Sequence, residues 1–233
     1  MESVLLLMTL LCLIAGVFRN SLAPGKYYPA VFAVMCALFV FFAGSYAVQI
    51  NKLSVIRAFA DFSVMQNLNV LLTLHMLFTL GFAAAKMQKS FGLQRGIFYR
   101  ILEYIPALMV FPALFYLYLV LLFSFAGTSF SIVGTVFALS AFLLMGGGSY
   151  LLRAAIPETE LRTELLLMVE LLLFVLMVSS IVFHPSAVLF SVSSAPDWKS
   201  LLYTTVTVAA LFGMGYFRLL SRLKALSGDK KER

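Results

Sequence analysis

Seven stretches of this chain stay apolar for about the length needed to cross a bilayer, and that feature limits the fold more than any other. A spanning helix takes about 20 apolar residues. The stretches run approximately over 3–18, 28–50, 66–85, 101–125, 130–152, 163–184 and 200–220. They are too long for the strands of a membrane barrel and lack the period-two alternation such strands need. Composition agrees. Hydrophobic residues make up 62% and charged residues 12%, against roughly 45–50% and 25% in a soluble domain. Mean hydropathy is +1.01. The sequence therefore predicts an all-α, polytopic membrane bundle of about seven transmembrane helices, with residues 1–233 as a single integral membrane domain. Disorder, a disulfide scaffold and a nucleic-acid-binding domain are excluded, the last despite a pI near 9.5. Cys12 and Cys36 lie inside apolar runs and fit neither a metal nor a disulfide framework.

Basic residues set the orientation. Glu2 precedes the first apolar core and Arg19 follows it, the reverse of a signal peptide, so the first helix is expected to be retained with its N-terminus outside. Arg19, Lys26, Lys86, Lys89, Arg95, Arg100, Arg153, Arg162 and the basic C-terminal tail then fall inside. Only Lys52, Arg57 and Lys199 fall outside. Basic residues favour the cytoplasmic side, and the expectation is N-out, C-in. Between the second and third stretches, Leu53, Ile56, Phe59 and Ala60 recur at helical spacing, which predicts a short helix lying in the interface.

Soluble-enzyme motifs are absent: there is no P-loop, dinucleotide fingerprint or HExxH. Gly146-Gly147-Gly148-Ser149 lacks the glycine that would complete a nucleophile elbow, and reads as close helix packing. His75 falls in the middle of the third stretch and His184 at the outer end of the sixth. Their depths differ by roughly 9–15 Å at 1.5 Å per residue, so no bis-histidine haem is expected. The last stretch has no lysine between Leu201 and Leu220 for a retinal Schiff base.

Glu170 is the carboxylate set deepest in an apolar run. An acidic residue at mid-helix costs roughly 2.5–3.5 kcal/mol to insert, so Glu170 should face the bundle. It serves there either as a structural hydrogen-bonding group or, with His75, as part of an intramembrane proton relay. Pro106 and Pro112 are expected to interrupt the fourth helix. Gln66, Asn67 and Asn69 cluster where the third stretch begins, just after Arg57 and Asp61 and close to Asn51. Such amides and charges could orient a polar headgroup or dock a protein. Lys26, Tyr27 and Tyr28 read as interfacial anchors.

Several segments, in order, resemble the membrane-anchor subunit of dimethyl sulfoxide reductase-type molybdoenzymes, related in role to the polysulfide reductase anchors. They are Lys52-Leu53-Ser54-Val55-Ile56-Arg57-Ala58-Phe59 after the second span, the glycine-containing fifth span Phe137–Leu152, and Pro196-Asp197-Trp198 before the seventh. The chain departs from that family in having seven spans instead of eight. Asn51 stands where the family's quinol-site histidine would be, and no glutamate occurs between Asn51 and Lys86. The resemblance implies a multi-pass protein of the bacterial cytoplasmic membrane. It would anchor an iron–sulfur subunit and a molybdopterin catalytic subunit at the outer face, within an oxidoreductase complex of anaerobic respiration. It also implies a quinone or menaquinone at that face, with Asn51, Gln66, Asn67 and Asn69 orienting the headgroup, Asp61 accepting a proton, and Arg57 pairing with Asp61 or docking the partner. Two other readings stay open: a small transporter or channel, and a ligand-free assembly subunit of another membrane complex.

Overall fold

The computed structural model describes residues 2–47, 49–51, 54–55, 57–58, 61–90, 103–125, 127–182 and Val206. The chain divides into units 1–188 and 189–233. The account below is of the first; apart from Val206, the expected seventh span lies outside the described residues, as does His184. All regular structure among the described residues is helical, with no strand. The helices are α1 (Glu2–Leu22), α2 (Tyr28–Ala47), α3 (Phe62–Ser90), α4 (Val110–Ser124), α5 (Phe130–Ala155) and α6 (Thr159–Val182). Five of them, all but α4, are long and apolar enough to cross a membrane.

Local chemistry explains where these ends differ from the sequence reading. α1 runs past residue 18 because Arg19 is buried within the bundle. It stops before Pro24 and before Gly25, whose φ of 92° suits glycine. α3 starts four residues earlier than expected because Asp61 caps it. Asp61 Oδ1 accepts the Ser63 N–H and the Ser63 hydroxyl, both at 2.9 Å, which satisfies a donor otherwise orphaned in the first turn.

The fourth span differs most. Glu103 and Tyr104 are helical, Ile105–Met109 is irregular, and the continuous helix begins only at Val110. Pro106 disfavours helical backbone at the residue before it and supplies no N–H. Pro112, expected to interrupt the helix, instead occupies its first turn, where no N–H partner is required. Between 50 and 62, residues 54, 55, 57 and 58 are helical; Leu53, Ile56, Phe59 and Ala60, whose spacing predicted an interfacial helix, lie outside the described residues.

α6 packs against α1 and α3; α1 also meets α4 and α5, and α2 packs on α5 and α4. α2 shows why this sequence suits lipid. Phe32, Ala33, Cys36 and Val40 are buried at helical spacing, while Val31, Leu38, Phe41 and Phe42 are exposed on the other side. A helix apolar all round needs an apolar surround. Tyr118 of α4 stacks on Phe137 of α5 with ring centroids 5.6 Å apart. A Cβ on Gly134 would sit 2.8 Å from its hydroxyl oxygen, so glycine lets α5 approach. Gly16 does the same for α1, since a Cβ there would overlap Val110.

One pole of the bundle gathers the C-terminal ends of α1, α3 and α5 with the N-terminal ends of α2 and α6. The ties are Arg153 and Arg162 to α1 carbonyls, Tyr150 to the Lys26 carbonyl, Tyr28 to the Tyr104 carbonyl, and Lys86 to Glu103. Arg19, Lys26, Lys86, Arg153 and Arg162 all lie at or near it. Residues 49–51 and 61, and residues 127–129, lie at the other.

Candidate functional site: a buried ionisable set and an apolar cleft

His75 and Glu170 face each other where α3 packs on α6. His75 Nε2 is 3.2 Å from Glu170 Oε1, with side chains 5% and 2% exposed. Glu170 lies 11 residues from the start of α6, roughly 16 Å along a helix of about 36 Å, and His75 is equally central in α3. The pair therefore sits at mid-bundle. Oε1 lies in ion-pair range without the alignment of a hydrogen bond, and Oε2 has no hydrogen-bond partner.

Arg19 is the neighbouring cation. Its Nη1 donates to Thr79 Oγ1 at 3.0 Å and its Nη2 to the Ile105 carbonyl at 3.0 Å. The guanidinium also lies 5.1 Å from the centre of the Phe82 ring. The Thr79 hydroxyl in turn donates to the His75 carbonyl one turn back. Pro106 thus has a consequence at this site: the break it forces leaves the Ile105 carbonyl outside any helix, and Arg19 takes it. Nearer the pole, Lys86 Nζ pairs with Glu103 Oε1 at 3.4 Å, both side chains buried. Arg19 and Lys86 thus stand with two carboxylates, Glu103 and Glu170, and Arg162 is a further buried cation nearer the pole. Opposite-sign company matters here, because unpaired buried charge is expensive.

The glycine run builds the next layer. Leu143–Gly147 form one turn of π-helix within α5, a distortion that frees a carbonyl. The Met145 carbonyl accepts from Asn20 Nδ2 at 3.0 Å and from the Ser149 hydroxyl, and Asn20 Nδ2 also reaches Ser149 Oγ at 2.9 Å. Ser149 is committed to these bonds and is no nucleophile. The expected close packing holds at Gly146, where a Cβ would stand 3.1 Å from Ala33, while Gly147 has open space. Arg153 and Arg162 donate to the Ser21 carbonyl at the end of α1, and Arg153 also to that of Ala23. They cap carbonyls the helix cannot satisfy. A polar pocket of about 670 Å³ opens beside them, lined by Lys86, Glu103, Arg153, Glu160, Arg162 and Thr163 among others.

The surface singled out between 51 and 69 lies at the opposite end. Asn51, Arg57, Asp61, Gln66 and Asn67 are exposed, and Asn69 is half-buried with Oδ1 unpaired. Asp61 is occupied as the α3 cap, and no ion pair joins it to Arg57 among the described residues. This surface borders an apolar cleft of about 470 Å³ between α1, α3 and α4. Ile50, Ser54, Val55, Ala58, Leu68 and Tyr116 are among its lining, and Cys12 lines it too. The structure thus brings His75 to Glu170, but holds the 51–69 residues apart from that pair. Tyr27 is exposed as an anchor should be, whereas Tyr28 is half-buried and bonded to Tyr104.

Sequence reasoning missed Arg19, Asn20, Thr79 and Glu103. Arg19 carried a usable signal, since a cation at 3.6-residue spacing from Cys12 and Ala15 falls on the face that α1 buries. Comparisons of the chain with protein-family models, with curated proteins and with solved structures find no match.

Proposed function

We propose that this chain is the membrane-anchor subunit of a respiratory molybdopterin/iron–sulfur oxidoreductase of the bacterial cytoplasmic membrane. The basic pole faces inward, and the 51–69 surface faces outward against an iron–sulfur subunit. The observation that carries this reading is the apolar cleft beside that surface. Its volume of about 470 Å³ falls within the roughly 300–1,000 Å³ of small-molecule sites. Its apolar walls, with hydroxyls from Ser54 and Tyr116, suit a quinone. Asn51, Gln66, Asn67 and Asn69 lie at the same end of the bundle. Two electrons from a quinol leave to clusters in the partner, since Cys12 and Cys36 alone cannot ligate one. The anchor supplies position and a dry site, and the cofactors supply the redox chemistry.

Purification from native membranes tests this, with an iron–sulfur and molybdenum-containing partner expected to accompany the chain. Arg57→Ala and Asp61→Asn should lower both partner retention and quinol-linked electron transfer. Asn caps helices as well as Asp does, so Asp61→Asn removes the charge and keeps α3 intact. Wild-type assembly and turnover in both variants would overturn the reading. The second reading, a proton-coupled transporter, is favoured by one observation, the buried His75–Glu170 pair at mid-bundle, and predicts a stable protein without redox partners.

A further inference from the structure

We propose that His75 and Glu170 form a proton-binding centre in the middle of the bundle, supplied from the basic pole through Glu103 and a one-water cavity beside Arg19 and Asn20. This goes beyond the anchor reading and needs neither a partner nor a quinone.

The centre rests on geometry. Glu170 is 1% exposed, neither of its carboxylate oxygens has a hydrogen-bond partner, and Oε1 faces His75 Nε2 at 3.2 Å. From that distance a small turn of the imidazole would let ionised Glu170 accept from Nε2–H. Protonated Glu170 would instead donate to an unprotonated Nε2 as the imidazole switches tautomer. Uptake is balanced: a hydronium at the pole becomes water, the carboxylate becomes a carboxylic acid, and the buried set gains one positive charge. The charged and titratable groups that feel Glu170 from the packed helices are Cys12 and Arg19 of α1. Lys86, paired with Glu103, lies 11 residues further along α3 toward the pole, and Arg162 lies eight residues back along α6.

The route rests on a second observation. Arg19 Nε and Asn20 Oδ1 are both buried without hydrogen-bond partners, and both residues line a cavity of about 10 Å³. That is room for about one water, which needs polar neighbours to stay. One donor and one acceptor are there, with Glu103 and Tyr28 also in the wall. Glu103 and Ala23 line this cavity and the 670 Å³ polar pocket alike, so Glu103 stands between pole and interior. Arginine keeps its proton; Arg19 is a positioning residue that holds the water and the Thr79 hydroxyl. The Thr79 hydroxyl donates to the His75 backbone carbonyl. The last transfer therefore requires that hydroxyl to rotate, accept a proton from the water and pass its own to the imidazole across one turn of α3, roughly 6 Å along the axis, and is the slow step.

Infrared difference spectroscopy of the full chain in lipid nanodiscs tests both parts. A carboxylic-acid band should appear on acidification and be lost in Glu170→Gln. After a pH jump, Ala107→Val, which fills the cavity, should slow that band by at least about tenfold, while Ala107→Ser should not. Glu103→Gln removes the carrier and should slow it too, and serves if Ala107→Val fails to fold. No pH-dependent band from Glu170 overturns the centre and with it the route. A Glu170 band that rises at the wild-type rate in both route variants overturns the pole-side route. Neither outcome depends on the partner or the quinone, so failure here is distinct from failure of the anchor reading.

Discussion

At the residue scale the decisive fact is that buried ionisable side chains of opposite sign keep company. Arg19 and Lys86 stand with Glu103 and Glu170 inside an apolar bundle, beside His75 and with Arg162 a further buried cation toward the pole. Removing one partner of a buried charged set costs about 3–5 kcal/mol, because the remainder stays buried and uncompensated. Glu170→Gln should therefore lower thermal stability markedly, and Arg19→Met likewise. The double variant removes a cation and an anion together, restoring the wild-type net charge, and should be less destabilised than the sum of the two by more than about 1 kcal/mol. Simple additivity in thermal unfolding would show that Arg19 and Glu170 do not share a charge balance. The sequence made Glu170 legible, since a carboxylate deep in an apolar run has to find company. It could not show that the company included Arg19, which also read well as a topology marker. Which of two roles a cation at a helix end plays depends on the neighbouring helices.

At the scale of elements, periodicity and length placed α1, α2, α3, α5 and α6, because a run apolar on all sides leaves few alternatives. The breaks were harder. Proline marked the fourth span as irregular, yet Pro106 and Pro112 act differently: one precedes the helix and the other fits its first turn. Irregular backbone at membrane depth is tolerated only where protein buries it. Here the stretch is partly covered: Ala107 and Met109 are both 4% exposed, whereas Leu108 is 41% exposed, and the Tyr28–Tyr104 tie puts its start near the basic pole. The π turn of α5 left only a glycine run in the sequence. Its two halves should respond differently. Gly146→Val pushes against Ala33 and should cost about 1–3 kcal/mol by overpacking. Gly147→Ala meets nothing within 4 Å and should stay within about 0.5 kcal/mol of wild type. Equal effects on the melting temperature would mean that α2 and α5 are not in close contact at this turn.

At the scale of the molecule, the ties between helix ends make helices successive in sequence antiparallel, with basic residues gathered at one pole. Basic residues favour the cytoplasmic side, so reporter fusions after Lys89 and at the C-terminus should read cytoplasmic. Fusions near Asp61 and Ser193 should read external. A cytoplasmic signal at Asp61 would invert the bundle and place the cleft on the inner leaflet. The cleft itself was not legible in the sequence. It is made by side chains from α1, α3 and α4 together with the 50–58 segment, and no local pattern records how such separated pieces meet.

If the proposed centre binds its proton at that central depth, its occupancy would also follow the membrane voltage. Moving one charge across the whole membrane is worth about 2.3 kcal/mol per 100 mV, so reaching the middle is worth about half of that, or roughly a sevenfold change in occupancy. A proton arriving from the inner side climbs against an inside-negative potential, so energising the membrane would empty the centre. A proton arriving from the outer side would be drawn in and fill it. The cell's own electric field would thus reveal, by the sign of its effect, which face of the membrane the buried pair answers to.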